Sequence, residues 1–138
     1  MNTEKAKENL SKLEALIEVL SHVQTTPFVD LTPASLPNVP GLYVIIDEQD
    51  MVLRAGRTDA QTLRDRVYRN HLMGNQQGNL RQQLVRAGVC SDLETAKAWM
   101  RKNCAVRVVE YSWLEQAGLD IRWAEHFLLA VLQPKFSN

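Results

Sequence analysis

Gly41-Leu42-Tyr43-Val44-Ile45-Ile46-Asp47, then Glu48-Gln49-Asp50, then Met51-Val52-Leu53-Arg54-Ala55-Gly56 is the stretch that decides the fold. Its first seven residues are mostly β-branched, aromatic or leucine, which suits a pleated and well-buried surface. The polar tetrapeptide Asp47–Asp50 suits a hairpin turn. Two antiparallel strands, Gly41–Asp47 and Met51–Gly56, are therefore expected. Cys104-Ala-Val-Arg-Val-Val-Glu-Tyr111 has the same β-branched character and reads as a third strand.

Helical signals surround these strands. Leu10, Leu13, Ile17 and Leu20, widened by Leu16 and Val23, form an apolar stripe over residues 3 to 23. That stripe can dock on its own domain or meet a partner, so a homodimer or a protein partner through this helix stays open. Thr58 with Gln61 reads as a capping box for a helix over roughly 59 to 72. Leu80, Leu84 and Val85 suggest a short helix, and Ser91 with Glu94 opens another through Ala96, Trp99 and Met100. A last helix covers about Ile121 to Leu132 and is stopped by Pro134. Pro27, Pro33, Pro37 and Pro40 mark an extended connector. The expected organisation is an amphipathic helix at 1–24, a connector at 25–40 and a domain at 41–138. The expected class is α+β: a small three-stranded antiparallel sheet flanked by helices, with an extra N-terminal helix.

The chain has 138 residues, enough for one domain. Hydrophobic residues make up 45% and charged residues 23%, which excludes disorder as a description of the whole. The longest apolar run, Phe127 to Leu132, is too short to span a bilayer, so no membrane association is expected. The opening Met-Asn-Thr-Glu-Lys-Ala-Lys-Glu-Asn lacks the apolar core of a secretory signal. With Cys90 and Cys104 as the only cysteines, a cytoplasmic location follows as an expectation, and a structural zinc site does not fit.

Net charge is zero, but its distribution is uneven. From Arg54 to Arg86 there are seven arginines, Arg54, Arg57, Arg64, Arg66, Arg69, Arg81 and Arg86, and no lysine. Only Asp59 and Asp65 oppose them, leaving an excess of five positive charges. Arginine favours planar, bidentate grip on phosphate, so this stretch hints at nucleic acid. Arg57, Arg69, Arg81 and Arg86 are the candidate backbone contacts. The plain alternative is a solvated face laced with ion pairs.

The ordered set Gly41-Leu42-Tyr43, Arg54-Ala55-Gly56 ten residues further on, Gly56-Arg57-Thr58, Leu63-Arg64-Asp65-Arg66-Val67, His71, Glu125 and Pro134 resembles the GIY-YIG nuclease family. The resemblance covers residues 39 to 138. It implies a three-stranded sheet flanked by helices and a surface that cleaves DNA phosphodiesters with one divalent metal, Mg²⁺ or Mn²⁺. It assigns Tyr43 to activating or orienting the attacking water. A phenol does this poorly near neutral pH unless cations stand close to it. It assigns an arginine to the transition-state charge. The Leu-x-x-Arg-apolar pattern selects Arg66, whereas the distance from Gly56 selects Arg64. It assigns Glu125 to the metal, as suits a hard cation that accepts one carboxylate and fills its shell with water and phosphate oxygens.

His71 would assist proton transfer or hold a phosphate, on a helical face shared with Arg64 and Tyr68. Asn138 resembles the terminal asparagine of the family, one residue further from Pro134. Arg54 departs from the pattern, since it stands where the second signature tyrosine belongs. It offers five donors and no acceptor, so it can hold a phosphate oxygen but cannot take a proton. The expectation is a metal-dependent DNA endonuclease centred on Tyr43, Arg66 and Glu125, with Arg54 as a working substitution. The alternative is a catalytically inactive nucleic-acid-binding or regulatory module of the same fold.

Overall fold

The computed structural model describes residues 1–137; Asn138 lies outside the described residues. Helix α1, Thr3–His22, begins at Asn2, whose side chain accepts the Lys5 N–H. The chain then passes through the short strand β1, Thr26–Pro27, before the hairpin of β2, Gly41–Asp47, and β3, Val52–Arg57. A π-helix, Arg64–Leu72, follows, then α2, Leu80–Arg86, and α3, Leu93–Asn103. Strand β4, Cys104–Glu110, runs directly into α4, Tyr111–Gln116, and the last helix is α5, Ile121–Leu132. No helix among the described residues is long and apolar enough to cross a membrane.

The class is α+β, as expected, but the antiparallel sheet has four strands in the order β1-β4-β2-β3 rather than three. The extra strand pairs Thr26 with Val106 and Pro27 with Ala105. At two residues it is too short to carry a hydrophobic period. The connector is not merely extended either. It makes 3-10 turns at Phe28–Asp30 and Pro33–Ser35, and Phe28, Leu31 and Leu36 are buried.

Strand β2 is central and buried on both faces, so successive side chains serve two cores. Tyr43 and Ile45 join Phe28, Leu63, Val67, Leu84 and Met100 on one face. Leu42, Val44 and Ile46 join Leu16, Leu20, Leu114, Ala124 and Leu128 on the other. Helix α1 thus packs through Leu16 and Leu20 into the second core. Strand β3 lies at the end of the sheet. Its first half is covered by the C-terminal segment, since Lys135 N–H donates to Val52 and Phe136 N–H to Leu53. The second half, Arg54 to Arg57, borders an open cleft.

Thr58 does not cap a helix. Its Oγ1 accepts the Gly41 N–H at 2.9 Å, and regular helix starts only at Arg64. Helix α3 is capped by Asp92, whose carboxylate accepts the Thr95 N–H at 2.7 Å, rather than by Ser91. Thr95 N–H also holds the Asp92 carboxyl below the usual range.

Candidate functional site

The cleft has a volume of about 700 Å³ and is walled by β3, the π-helix and α5. Strand register supplies its floor. Tyr43 pairs with Gly56 and Ile45 with Arg54, so Tyr43, Gly56 and Arg54 share one face of the hairpin. Gly56 has to be glycine here. A Cβ at that position would lie 2.6 Å from the Tyr43 oxygen and 2.9 Å from its ring carbon Cζ.

Two groups of the π-helix converge on the Tyr43 hydroxyl. His71 Nε2 lies 2.9 Å from it, and Arg66 Nε donates at 3.4 Å, a long contact. The other ring nitrogen, Nδ1, accepts the Leu80 N–H at 3.0 Å. Nδ1 therefore carries no proton, and in the neutral ring Nε2–H is the donor to Tyr43. Burial, reinforced by the charges of Arg54 and Arg66, pushes the His71 pKa well below its ordinary value. His71 is thus a neutral, fully buried donor. It holds the phenol in place, with both ring nitrogens engaged and no face on the cleft. The expected shared face with Arg64 and Tyr68 is absent, because the segment is π-helical. Met73 N–H reaches back five residues to Tyr68 O.

Two residues apart on a helix, the two candidate arginines face opposite ways. Arg66 lines the cleft, while Arg64 Nε turns away and donates to Leu36 O in the connector at 3.2 Å. Arg54 also lines the cleft but is only 2% exposed. Its Nη1 donates to Gly78 O at 2.8 Å and to Gln83 Oε1 at 2.6 Å, tying β3 to α2. Burial lowers its pKa, and the adjoining Tyr43 opposes that shift.

Glu125 faces these groups from α5. Its Oε2 accepts the backbone N–H of Arg57 at 3.0 Å, and its Oε1 lies 3.6 Å from Arg57 Nε. Arg57 Nε is at the same time 3.1 Å from Asp59. Arg57 therefore stands between two carboxylates, with its Nη1 buried and unpartnered among the described residues. Among those residues no three His, Cys, Asp or Glu side chains cluster around a common point.

The other expected phosphate contacts divide. Arg86 is exposed at the end of α2. Arg69 is exposed and paired with Asp65 at 3.3 Å. Arg81 corrects the expectation: at 3% exposure it donates to the carbonyls of Leu72 and Gly74, and so clamps the turn after the π-helix instead of meeting a ligand. His126, which no sequence motif singles out, lies on the cleft wall with its ring edge-on to Trp123 at a 5.6 Å centroid distance. Its position beside Glu125 on an amphipathic helix was the available signal.

The fold and site thus define an α+β protein with an arginine-lined cleft, a tyrosine on its floor and a carboxylate on its wall. Comparison of the chain with protein-family models, with curated proteins and with solved structures returned no match.

Proposed function

We propose that the chain is a metal-dependent endonuclease of the GIY-YIG type, which hydrolyses DNA phosphodiester bonds in this cleft. The observation that carries the reading is the convergence of His71 and Arg66 on the Tyr43 oxygen, with Glu125 on the wall of the same cleft. Hydrolysis forms a bond from a water oxygen to phosphorus and breaks a bond from phosphorus to a sugar oxygen. The water gives up a proton, the phosphate oxygens gain charge and the leaving alkoxide gains a proton.

Tyr43 is the group placed to orient that water or to take its proton. The His71 N–H and the Arg66 N–H both aim at its oxygen, which fixes the direction in which that oxygen can meet a water. His71 cannot itself be the base, since its Nε2 already bears a proton. Arg66 supports charge on the phosphate as the attack proceeds. Glu125 fits one Mg²⁺ or Mn²⁺, because a hard cation that keeps most of its waters needs a single protein carboxylate. Such an ion supplies Lewis-acid stabilisation of phosphate and leaving-group oxygens when bound.

One observation favours the alternative of a non-catalytic binding module: the Glu125 carboxylate is already held by Arg57 at both oxygens. Nicking of supercoiled plasmid separates the two. The nuclease reading expects nicking with Mg²⁺ or Mn²⁺, reduced at least ~10²-fold in Tyr43→Phe. Plasmid binding without nicking in either metal overturns it in favour of the binding module.

A further inference from the structure

We infer that Arg57 is a built-in counter-cation that keeps the divalent metal off Glu125 until a nucleic-acid phosphate draws it away. The inference rests on the nuclease reading and adds a dependence of metal binding on substrate.

The geometry of one side chain carries it. Arg57 Nε sits 3.6 Å from Glu125 Oε1 and 3.1 Å from Asp59 Oδ1, so two carboxylates already share its charge. The Arg57 backbone N–H fixes Glu125 Oε2 at 3.0 Å, which leaves Oε1 as the less firmly held oxygen. A divalent ion arriving at Oε1 meets a guanidinium at close range in a partly buried setting. The Glu125 and Arg57 side chains are 19% and 24% exposed, where repulsion between cations is screened less than in water. Arg57 and the metal are therefore competitors for one carboxylate.

The guanidinium is also incomplete where it stands. Its Nη1 is buried and donates to nothing among the described residues. An arginine fork matches a phosphate bidentately, and a phosphodiester in the cleft would satisfy both Nη1 and the charge. Moving Arg57 onto phosphate frees Oε1 for the metal, and a bound metal in turn favours Arg57 on phosphate. Reciprocal coupling of this kind raises each affinity by the same factor. Asp59, 74% exposed on the outer side, helps hold Arg57 away from full engagement with Glu125.

The test measures Mn²⁺ affinity of the full chain by electron paramagnetic resonance, with and without a phosphorothioate duplex that resists cleavage. In the free protein Arg57→Gln should bind Mn²⁺ at least ~10-fold tighter than wild type. The duplex should tighten wild type by a similar factor and tighten Arg57→Gln much less. Asp59→Asn should weaken Mn²⁺ binding, and this effect should shrink in the double variant, because part of it acts through Arg57. Circular dichroism of each variant checks that the fold is retained, and the duplex dependence of Mn²⁺ affinity in wild type keeps the test available if Arg57→Gln does not fold. Equal Mn²⁺ affinity in wild type and Arg57→Gln, in a protein that still nicks plasmid, overturns the inference and leaves the nuclease reading standing. No Mn²⁺ binding in any form, with or without duplex, overturns both.

Discussion

Arg66 and His71 stand five residues apart on the π-helix and meet on one phenol oxygen, at 3.4 and 2.9 Å. In an α-helix a five-residue step turns side chains about 140° apart. Only the wider winding, with N–H groups reaching back five residues, brings both onto Tyr43. Arg64, two residues before Arg66, points the other way and donates to Leu36 O. Arg66→Ala should therefore lower plasmid nicking by at least ~10²-fold, the scale for one preorganised stabiliser of transition-state charge. Arg64→Ala should leave nicking close to wild type and cost about 1 kcal/mol of stability through its lost bond to Leu36 O. The reverse order of effects would move the clamp to Arg64.

Burial of a neutral histidine has a pH signature. The folded His71 pKa lies well below the ordinary value, so the unfolded chain binds this proton first as pH falls. Stability from His71 is complete above the unfolded value near 6.5 and is lost as pH drops below it, by up to about 1.4 kcal/mol per pH unit. Asp92 and Asp120, held below the usual range by hydrogen bonds to Thr95 and Arg122, add their losses only at lower pH. Urea midpoints measured from pH 8 to pH 5 should fall for wild type and fall less for His71→Gln. Parallel curves for the two proteins would remove His71 as the source.

Much of this arrangement was legible in residue type and punctuation. β-Branched composition and the polar turn showed the β2–β3 hairpin and β4, the leucine stripe showed α1, and Pro134 marked the end of α5. The failures lie where one signal has two meanings. Thr58 looked like a cap because a hydroxyl that can accept a helix N–H can equally accept the Gly41 N–H across a sheet. Reading Arg64, Tyr68 and His71 as one face assumed α-helical winding, which side-chain pattern alone does not fix. Tyr111 continued a β-branched run, but the chain turns into α4 at that residue. In the site, Tyr43, Arg54, Arg66 and Glu125 do border one cleft. The pairing of Glu125 with Arg57 joins positions 68 residues apart, a distance at which no local pattern speaks.

Gly56 and Tyr43 cannot both keep their places if a side chain is added. Gly56→Ala sets a methyl 2.6 Å from the phenol oxygen, so either the ring leaves His71 or the strands part. The expected outcome is a loss of about 1–3 kcal/mol in chemical denaturation, typical of overpacking, with nicking lowered along with it. Wild-type stability and nicking in Gly56→Ala would show that the ring has room to move.

Salt dependence separates the arginines that face solvent from those that hold the fold. Arg57 and Arg66 in the cleft and Arg86 on the surface are available to phosphates, whereas Arg81 is buried. With two to four phosphate contacts, log affinity for duplex DNA should fall with log salt at a slope of about −2 to −4. Arg86→Ala should reduce the slope by about 0.9. Arg81→Ala should leave it unchanged while lowering stability. A slope near zero in wild type would remove nucleic acid from the reading.

Arg54 does structural work that a tyrosine could not copy. It is buried beneath the cleft, and one nitrogen donates to both Gly78 O and Gln83 Oε1. Gln83 in turn donates to Ser137 O at 2.7 Å, so the same chain of bonds anchors the C-terminal segment. Arg54→Ala strips a donor from two neutral acceptors and empties a large volume, with an expected loss of about 2–5 kcal/mol. Arg54→Tyr restores the signature residue but supplies one hydroxyl where the fold uses a guanidinium. It should therefore be less stable than wild type and nick more slowly. If wild type binds DNA without cleaving and Arg54→Tyr gains metal-dependent nicking, the arginine has disabled the site and the natural protein is a binding module.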